Sequence, residues 1–563
     1  MPYEKDLKNH EDYYSNFFFI AIRAGELKKA EEAVNYIIAS ATSGSKRREY
    51  NYQKAFLYYQ TRRYNEAIKI LNPLIASHRS HSRKIKTQDY DDLTWLRAWC
   101  YYLDKDALRA REALMQNQQW TRDRARNLYW LAQAEWGLDN RMEAVAYFKQ
   151  LARPVIEGKF FSYYNYLAWL RYESYKEFTT SELLRSHLSN LKSGRGFYVV
   201  PDGSARSQAI LENYDAFYGD VGATDEGSIQ IVNQEEVSED EKKTAGLSIY
   251  TSKELKNEMS WADDLIRWGY RDLAKWHLFE IEKTLTGSRY ANKSESSPLI
   301  RYYLENQYYN RSLTLANSVT PPAGRKLNLQ EEPLVWTALY PQAYKKSVES
   351  EAEKRKLTPF LLWSIMKAET QYKYDAISPV GAVGLMQFMP YTSQKVAVML
   401  KDDKHRVGDL FEPDLAVRYG AMYLRKLSDE LGGQYPLIAA AYNGGPHRVK
   451  LWLRNFREKD GTNAEFDIFI EHIPFNETRA YVKRVMSYML TYRRLYENEV
   501  NFAGNRWLIE KNPYKLQDPI VLKEEWPFER EVASKEETVP GPIPGRNEST
   551  NVSQPGIGPG TED

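Results

Sequence analysis

The chain has 563 residues, 42% hydrophobic and 27% charged, with a net charge of +2. That is too long for one ordinary core, soluble in composition, and too nearly neutral for a nucleic-acid binder or a polybasic membrane anchor. No run approaches the roughly 18–20 apolar residues of a membrane span, and a single cysteine, Cys100, excludes an intramolecular disulfide and reads as a small buried side chain.

Residues 11–175 read as consecutive amphipathic helices with short polar connections. The stretch from Tyr50 to Leu74 carries Ala55, Tyr58, Tyr64, Ala67 and Ile70, broken at Thr61-Arg62-Arg63. Trp95 to Leu114 and Arg126 to Leu151 repeat the pattern. A spacing of roughly 34–40 residues between units predicts tetratricopeptide-like helix pairs that bury their apolar faces by stacking on one another. The many tyrosines and tryptophans suit such packing, but aromatic rings also stack on sugar faces, so their abundance decides nothing alone.

Between residues 176 and 245 the character changes, with the turn signals Ser193-Gly194-Arg195-Gly196 and Pro201-Asp202-Gly203-Ser204 and an acidic run from Asn233 to Glu241 that cannot build a core. Helices resume from Trp261 to Leu285, presenting Leu265, Trp268, Ala274, Leu278 and Ile281, and from Leu299 to Val319. Pro321-Pro322-Ala323-Gly324 marks a boundary before a further helical domain. Asn501 to Arg530 is expected to pack back through Trp507, Ile520 and Trp526, and the Glu-, Pro- and Gly-rich tail from Ser534 to be disordered.

Chemistry points to Thr358–Gln387. Thr358-Pro359 predicts a helix N-cap with proline in the first turn. Leu362, Ile365, Met366 and Glu369 then recur at three- and four-residue spacings, on one face. A glutamate on a buried stripe ionises reluctantly, so its pKa should rise, which is what a general acid needs at neutral pH. The alternative is a glutamate bent to solvent or paired with a nearby lysine. Gly381 and Gly384 allow a tight loop that approaches a ligand closely. Gln387, in an apolar run, needs partners that a sugar hydroxyl or acetamido group would supply.

Four blocks lie in order between Glu369 and Val482: Glu369-Thr370, Ser378-Pro379-Val380-Gly381-Ala382-Val383-Gly384-Leu385-Met386-Gln387, Ala441-Tyr442-Asn443-Gly444-Gly445, and the segment from Glu471 to Val482. Together they resemble the soluble lytic transglycosylases, which carry a goose-lysozyme-like domain acting on bacterial peptidoglycan. Phe161–Ala168 is similar to a segment near the end of that family's superhelix, with Asn165 where glycine is usual. The resemblance implies a mainly α protein. Its parts would be a superhelical solenoid (1–180), a partly ordered acidic insertion (181–245), a helical linker (246–332), a lysozyme-like catalytic domain with a minor β part (333–500), and a C-terminal extension (501–563).

It further implies one catalytic glutamate, Glu369, that first protonates the oxygen between N-acetylmuramic acid and N-acetylglucosamine and then deprotonates the muramic acid's C6 hydroxyl. A 1,6-anhydromuramic acid end would form without water and without metal or organic cofactor. Carried over residue by residue, Thr370 (usually serine) supplies a hydroxyl beside the acid, and Met386 and Gln387 line the sugar groove. Tyr442 sets its hydroxyl near Glu369 or the acetamido group. Asn443 either contacts substrate or fixes the following turn. Glu471 contacts muropeptide or positions Tyr442, or else is a structural carboxylate satisfied by backbone or Arg479. Glu477 is expected to support the start of a helix, and Tyr481 to pack.

The chain departs from the family at Tyr372-Lys373-Tyr374, where F-N-P is frequent, and at Ala416, where asparagine is common. The expected partners are peptidoglycan strands and muropeptides, with cell-wall synthesis or secretion proteins on the helical repeats. The expected location is the periplasm; since Met1–Asp6 opens with charge rather than an apolar core, a leader would have been removed. Two rivals stand beside this reading. One is a hydrolytic muramidase using Asp375, Asp409, Glu412 or Asp414 as second carboxylate, although helix-end or surface roles suit each of those. The other is a non-catalytic scaffold that binds cell wall.

Overall fold

A computed structural model describes residues 10–23, 26–81, 88–175, 252–286, 293–460 and 465–497. The expected acidic insertion and the expected packing of Trp507, Ile520 and Trp526 lie outside the described residues. By Cα proximity the chain divides into Met1–Ile520 and Val521–Asp563, and every described residue belongs to the first unit.

The described residues are helical almost throughout; only isolated bridges, two of them in the loop Ile377–Phe388, represent β structure among them. The N-terminal part is a run of antiparallel helix pairs: His10–Arg23, Leu27–Ser40, Gly44–Gln60, Tyr64–His81, Gln88–Leu103, Ala107–Asn117, Arg124–Gly137 and Arg141–Ile156. The predicted break at Thr61-Arg62-Arg63 separates two of them, with Arg62 left-handed at φ +62°. The same device recurs at Lys105 and Asp139, each ending one helix and reversing the chain into its partner. Alanines and aromatics fill the seams: Ala98, Ala110 and Ala132 are fully buried, Trp99 and Trp130 meet edge to face with centroids 4.5 Å apart, and Cys100 is buried.

A second helical group follows, Ser252–Arg267, Arg271–Thr286, Lys293–Glu305 and Tyr309–Val319. Here Ala274, Leu278 and Ile281 are buried as expected, but Trp268 is 63% exposed instead of packing on the core side.

The remaining helices surround Pro359–Thr370, which carries Glu369. Its neighbours include Lys345–Lys354, Pro413–Glu430 and the long last helix, Asn476–Tyr496, on which Tyr435–Gly444 packs in turn. Leu361 to Lys367 are buried without interruption, so this helix is enclosed on all sides and not only along the predicted stripe. Trp363 anchors it, donating from Nε1 to the Ala343 carbonyl at 2.8 Å.

Candidate active site

Glu369 sits in the last turn of its helix, where the enclosed run of side chains gives way to half-buried ones. The helix starts at Thr358 and Pro359 as the sequence predicts, although the Thr358 hydroxyl makes no capping bond. It stops because Gln371 and Tyr372 are both left-handed, at φ +49° and +67°. Two consecutive non-glycine residues in this region cost on the order of 1–2 kcal/mol each. Tyr372 is held there by burial and by contacts of its hydroxyl with Tyr492 and the Trp363 carbonyl. The departure from F-N-P therefore leaves a core tyrosine that clamps the end of the acid's helix.

Burial is the main reason the Glu369 carboxyl is pushed up to about 7. A hydrogen bond from the Tyr481 hydroxyl to Glu369 Oε1, 2.6 Å, and the Arg484 charge oppose this, while Glu477 adds to it. Tyr481 is 2% exposed, and its hydroxyl is the protein donor that meets the carboxyl. Sequence alone assigns Tyr481 to packing. The signal is present all the same, since Glu477, Tyr481 and Arg484 recur at i, i+4 and i+7 on one face of the last helix, aimed at the acid.

The loop after the acid is locked by its own backbone. Gly384 N–H donates to the Ala376 carbonyl at 2.8 Å, and Val383 and Phe388 exchange backbone hydrogen bonds. Gly384 has φ +74°, and a Cβ there would lie 2.2 Å from the Leu410 carbonyl oxygen, so only glycine fits. The Thr370 hydroxyl donates to the Leu385 carbonyl at 3.0 Å, tying the helix end to this loop. Gln387, at φ +50°, donates from Nε2 to the carbonyls of Gly384 (2.9 Å) and Ala376 (3.3 Å), so its amide nitrogen is spent on the loop.

Met386, expected to line the groove, instead turns its side chain into the core: it is 1% exposed and lies against Gly420. A thioether filling the space left by a missing Cβ is more favourable there than in water. What Met386 offers the site is its carbonyl, which accepts from the Tyr442 hydroxyl at 2.7 Å. Burial first and the Glu369 charge second raise the Tyr442 phenol well above the usual range.

Asn443 Oδ1 accepts from the Thr478 hydroxyl at 2.6 Å, and the chain turns at Gly445, φ +87°. Asn443 also lines a cleft of about 380 Å³ whose other walls include Glu477, Arg448, Phe475 and, from the N-terminal helices, Tyr52 and Phe56. That volume is in the range of ligand sites.

Glu471 belongs elsewhere. It is 3% exposed, paired with Lys483 Nζ at 2.7 Å, contacted by the Tyr164 hydroxyl and within 4.0 Å of Arg479. Its surroundings are those of the structural alternative, and no bond joins it to Tyr442; its own short helix, Phe466–His472, is the hub on which the N-terminal helices rest. Tyr59 donates to the Glu471 carbonyl at 3.2 Å, and Tyr129 and Arg171 bind Asp467 at 2.5 and 2.9 Å.

The other carboxylates considered have helix-end or surface roles. Asp375 pairs with Lys275 at 2.9 Å, Asp409 accepts from the Arg406 backbone, and Glu412 and Asp414 begin the helix Pro413–Glu430. Among the described residues, no three His, Cys, Asp or Glu side chains converge as metal ligands would, and no helix is long and apolar enough to cross a membrane.

Residues 346–464 match the family model of the transglycosylase SLT domain, and residues 472–500 that of the soluble lytic transglycosylase helical domain. The chain is similar to the soluble lytic murein transglycosylase of Salmonella typhimurium, 30% identical over 243 residues, which is 42% of this chain and 35% of that protein. The protein of the same name from Escherichia coli K12 is 30% identical over 237 residues, 42% of this chain and 34% of that one. The matched stretch spans about a third of the length of these curated relatives. Among solved structures, an inactive mutant of the lytic transglycosylase Slt from Pseudomonas aeruginosa superposes over 87% of this chain and 68% of its own, with a TM-score of 0.51 at 18% identity, a likeness of fold. The chain thus carries an SLT transglycosylase domain within a mainly helical fold, and its resemblance to the soluble lytic transglycosylases extends beyond the four motif blocks.

Proposed function

We propose that this protein is a peptidoglycan lytic transglycosylase that cleaves the β-1,4 bond between N-acetylmuramic acid and N-acetylglucosamine without water, with Glu369 as acid and then base. The observation that carries this reading is one half-buried carboxyl, pushed up to about 7 and hydrogen-bonded by Tyr481.

At neutral pH a substantial fraction of Glu369 is protonated. It gives its proton to the glycosidic oxygen as the bond to the muramic C1 breaks, and N-acetylglucosamine leaves with that oxygen as a hydroxyl. The muramic acetamido oxygen, carried by the substrate, stabilises the electron-poor C1. The Glu369 carboxylate then takes the C6 hydroxyl proton as O6 closes onto C1, which yields the 1,6-anhydro end and restores the acid. The Tyr481 bond favours the carboxylate in the second half-reaction, and burial favours the acid in the first. Tyr442 and Tyr481 both set phenols next to the charge that Glu369 develops.

A muramidase of the two-carboxylate kind needs a second acid flanking the bond. Of the residues weighed from sequence, Asp375 is engaged by Lys275 and Asp409 by Arg406. Glu477 is the remaining carboxylate whose charge reaches Glu369, and it is exposed at the cleft. This reading locates the enzyme in the periplasm, where glycan strands are found.

Mass spectrometry of products released from purified sacculi, with Glu369→Gln in parallel, tests the proposal. Anhydromuramyl ends from the parent alone are expected. Reducing ends would replace the reading with hydrolysis and direct attention to Glu477. Sacculus binding with no cleavage by either form would leave a scaffold.

A further inference from the structure

The helix pair Ser252–Arg267 and Arg271–Thr286 exposes Trp261 (59%), Trp268 (63%) and Trp276 (59%), with Tyr270 and Leu273 at 56% each. The next most exposed described tryptophan, Trp120, is at 37%, and Trp99, Trp130, Trp336 and Trp363 are buried. Indoles held in water at this density mark a surface that binds something. Trp261 and Trp268 are seven residues apart, and the Trp268 N–H still donates to the Asp264 carbonyl at 3.0 Å, so helical register continues through it. Two turns bring both side chains to the same face about 10 Å apart.

We infer that this face is a secondary platform for an extended β-1,4-linked amino-sugar strand, the part of the substrate lying outside the catalytic cleft. Pyranose rings have apolar C–H faces that stack on flat indoles. In an extended β-1,4 strand alternate sugars present the same face, so the stacking repeat is one disaccharide, close to the two-turn spacing of Trp261 and Trp268. The flanking charges cancel locally, as Arg267 pairs with Asp264 at 2.7 Å and Lys283 with Glu280 at 2.8 Å. An apolar face without a net field suits a polysaccharide backbone better than a nucleic acid or an anionic bilayer.

The platform's second helix also adjoins the segment that follows Glu369. Lys275, beside Trp276, pairs with Asp375, and Tyr374 donates to Asp272 at 3.2 Å, which docks the second helix on the segment that follows Glu369. Beyond Asp375 that segment exposes Ile377 (65%) and Val380 (75%) at the lip of the catalytic loop.

The inference rests on the glycan-cleaving reading, and the test separates the two. In the full chain carrying Glu369→Gln, so that nothing is cut, Trp261, Trp268 and Trp276 are all replaced by Ala, and co-sedimentation with purified sacculi is measured. Affinity is expected to fall about tenfold or more, as loss of stacked aromatics predicts, and replacement of the same three residues by Tyr is expected to restore most of it. In the parent background, the Ala triple variant should solubilise sacculi more slowly while cleaving a soluble muropeptide tetrasaccharide at the parental rate, which also shows that it folds. Unchanged sacculus binding would overturn the platform. So would a change from dimer to monomer on gel filtration, which would identify the face as a self-association surface. Failure of the unmutated chain to cleave either substrate would sink the catalytic reading instead, while the binding comparison would still be readable.

Discussion

Glu369 and Glu471 are both carboxylates withdrawn from bulk water, and their surroundings drive them in opposite directions. Around Glu369 burial outweighs the Tyr481 hydrogen bond and the Arg484 charge, and the acid is favoured. Glu471 is more deeply buried, yet Lys483, Arg126 and Arg479 outweigh the burial and hold it ionised, below the usual carboxylate range. Burial alone therefore does not make a catalytic acid; what counts is whether the protein supplies a compensating charge. Where it does, the group is a strut, here between the N-terminal helices and the last helix. Where burial prevails, as at Glu369, the carboxyl stays protonated to higher pH.

The contrast is tested most severely by removing each charge. Glu369→Gln should reduce release of anhydromuropeptides by about a thousandfold or more, the scale of a lost acid–base group. It should not destabilise the fold. A carboxyl whose folded pKa is raised contributes stability that is fully present below its unfolded pKa and lost as pH rises through about 7. Relative to the parent, the Glu369→Gln variant should thus gain stability between pH 5 and pH 8, on the order of 2 kcal/mol after allowing for partial exposure; denaturant midpoints at the two pH values measure it.

Glu471→Ala should do the reverse. It strands Lys483 in the interior, at a cost of about 3–5 kcal/mol, and melting temperature should drop at neutral pH. The parent's own Glu471 contribution is present above the unfolded pKa and disappears as acid titrates the folded carboxyl, so the gap between parent and variant should close at low pH. A variant as stable as the parent at pH 7 would remove the strut from the comparison.

Gly384→Ala should cost about 2–3 kcal/mol, since the new Cβ meets the Leu410 carbonyl in a left-handed backbone. Tyr481→Phe sharpens the contrast at lower cost. The lost bond stabilised the carboxylate, so the acid's pKa should rise, the alkaline limb of the pH–rate profile should move up, and kcat should fall about tenfold. A profile that does not move would mean that Tyr481 only packs. Thr370→Ser keeps the bond to the Leu385 carbonyl and should change stability by less than about 1 kcal/mol, readable as a near-coincident melting curve.

Much of this was written in local sequence. Helix pairs were legible because apolar spacing and short polar breaks such as Thr61-Arg62-Arg63 act within a few residues of one another. Glu369 was legible because its place at the end of an apolar helix, before a glycine-punctuated loop, is itself a local pattern. The partners of these groups were not local. Tyr481 reaches Glu369 across 112 positions, and Tyr164 reaches Glu471 across 307; no periodicity shows which two helices will meet. Met386 and Trp268 went the other way, an expected groove residue turned inward and an expected core residue turned out, because which side of an element faces water depends on the neighbours that cover it. Residue type and short-range spacing thus determined which side chains could do chemistry. Tertiary packing decided the charge each one carries, because desolvation and ion pairing are summed over elements that the chain brings together only when folded.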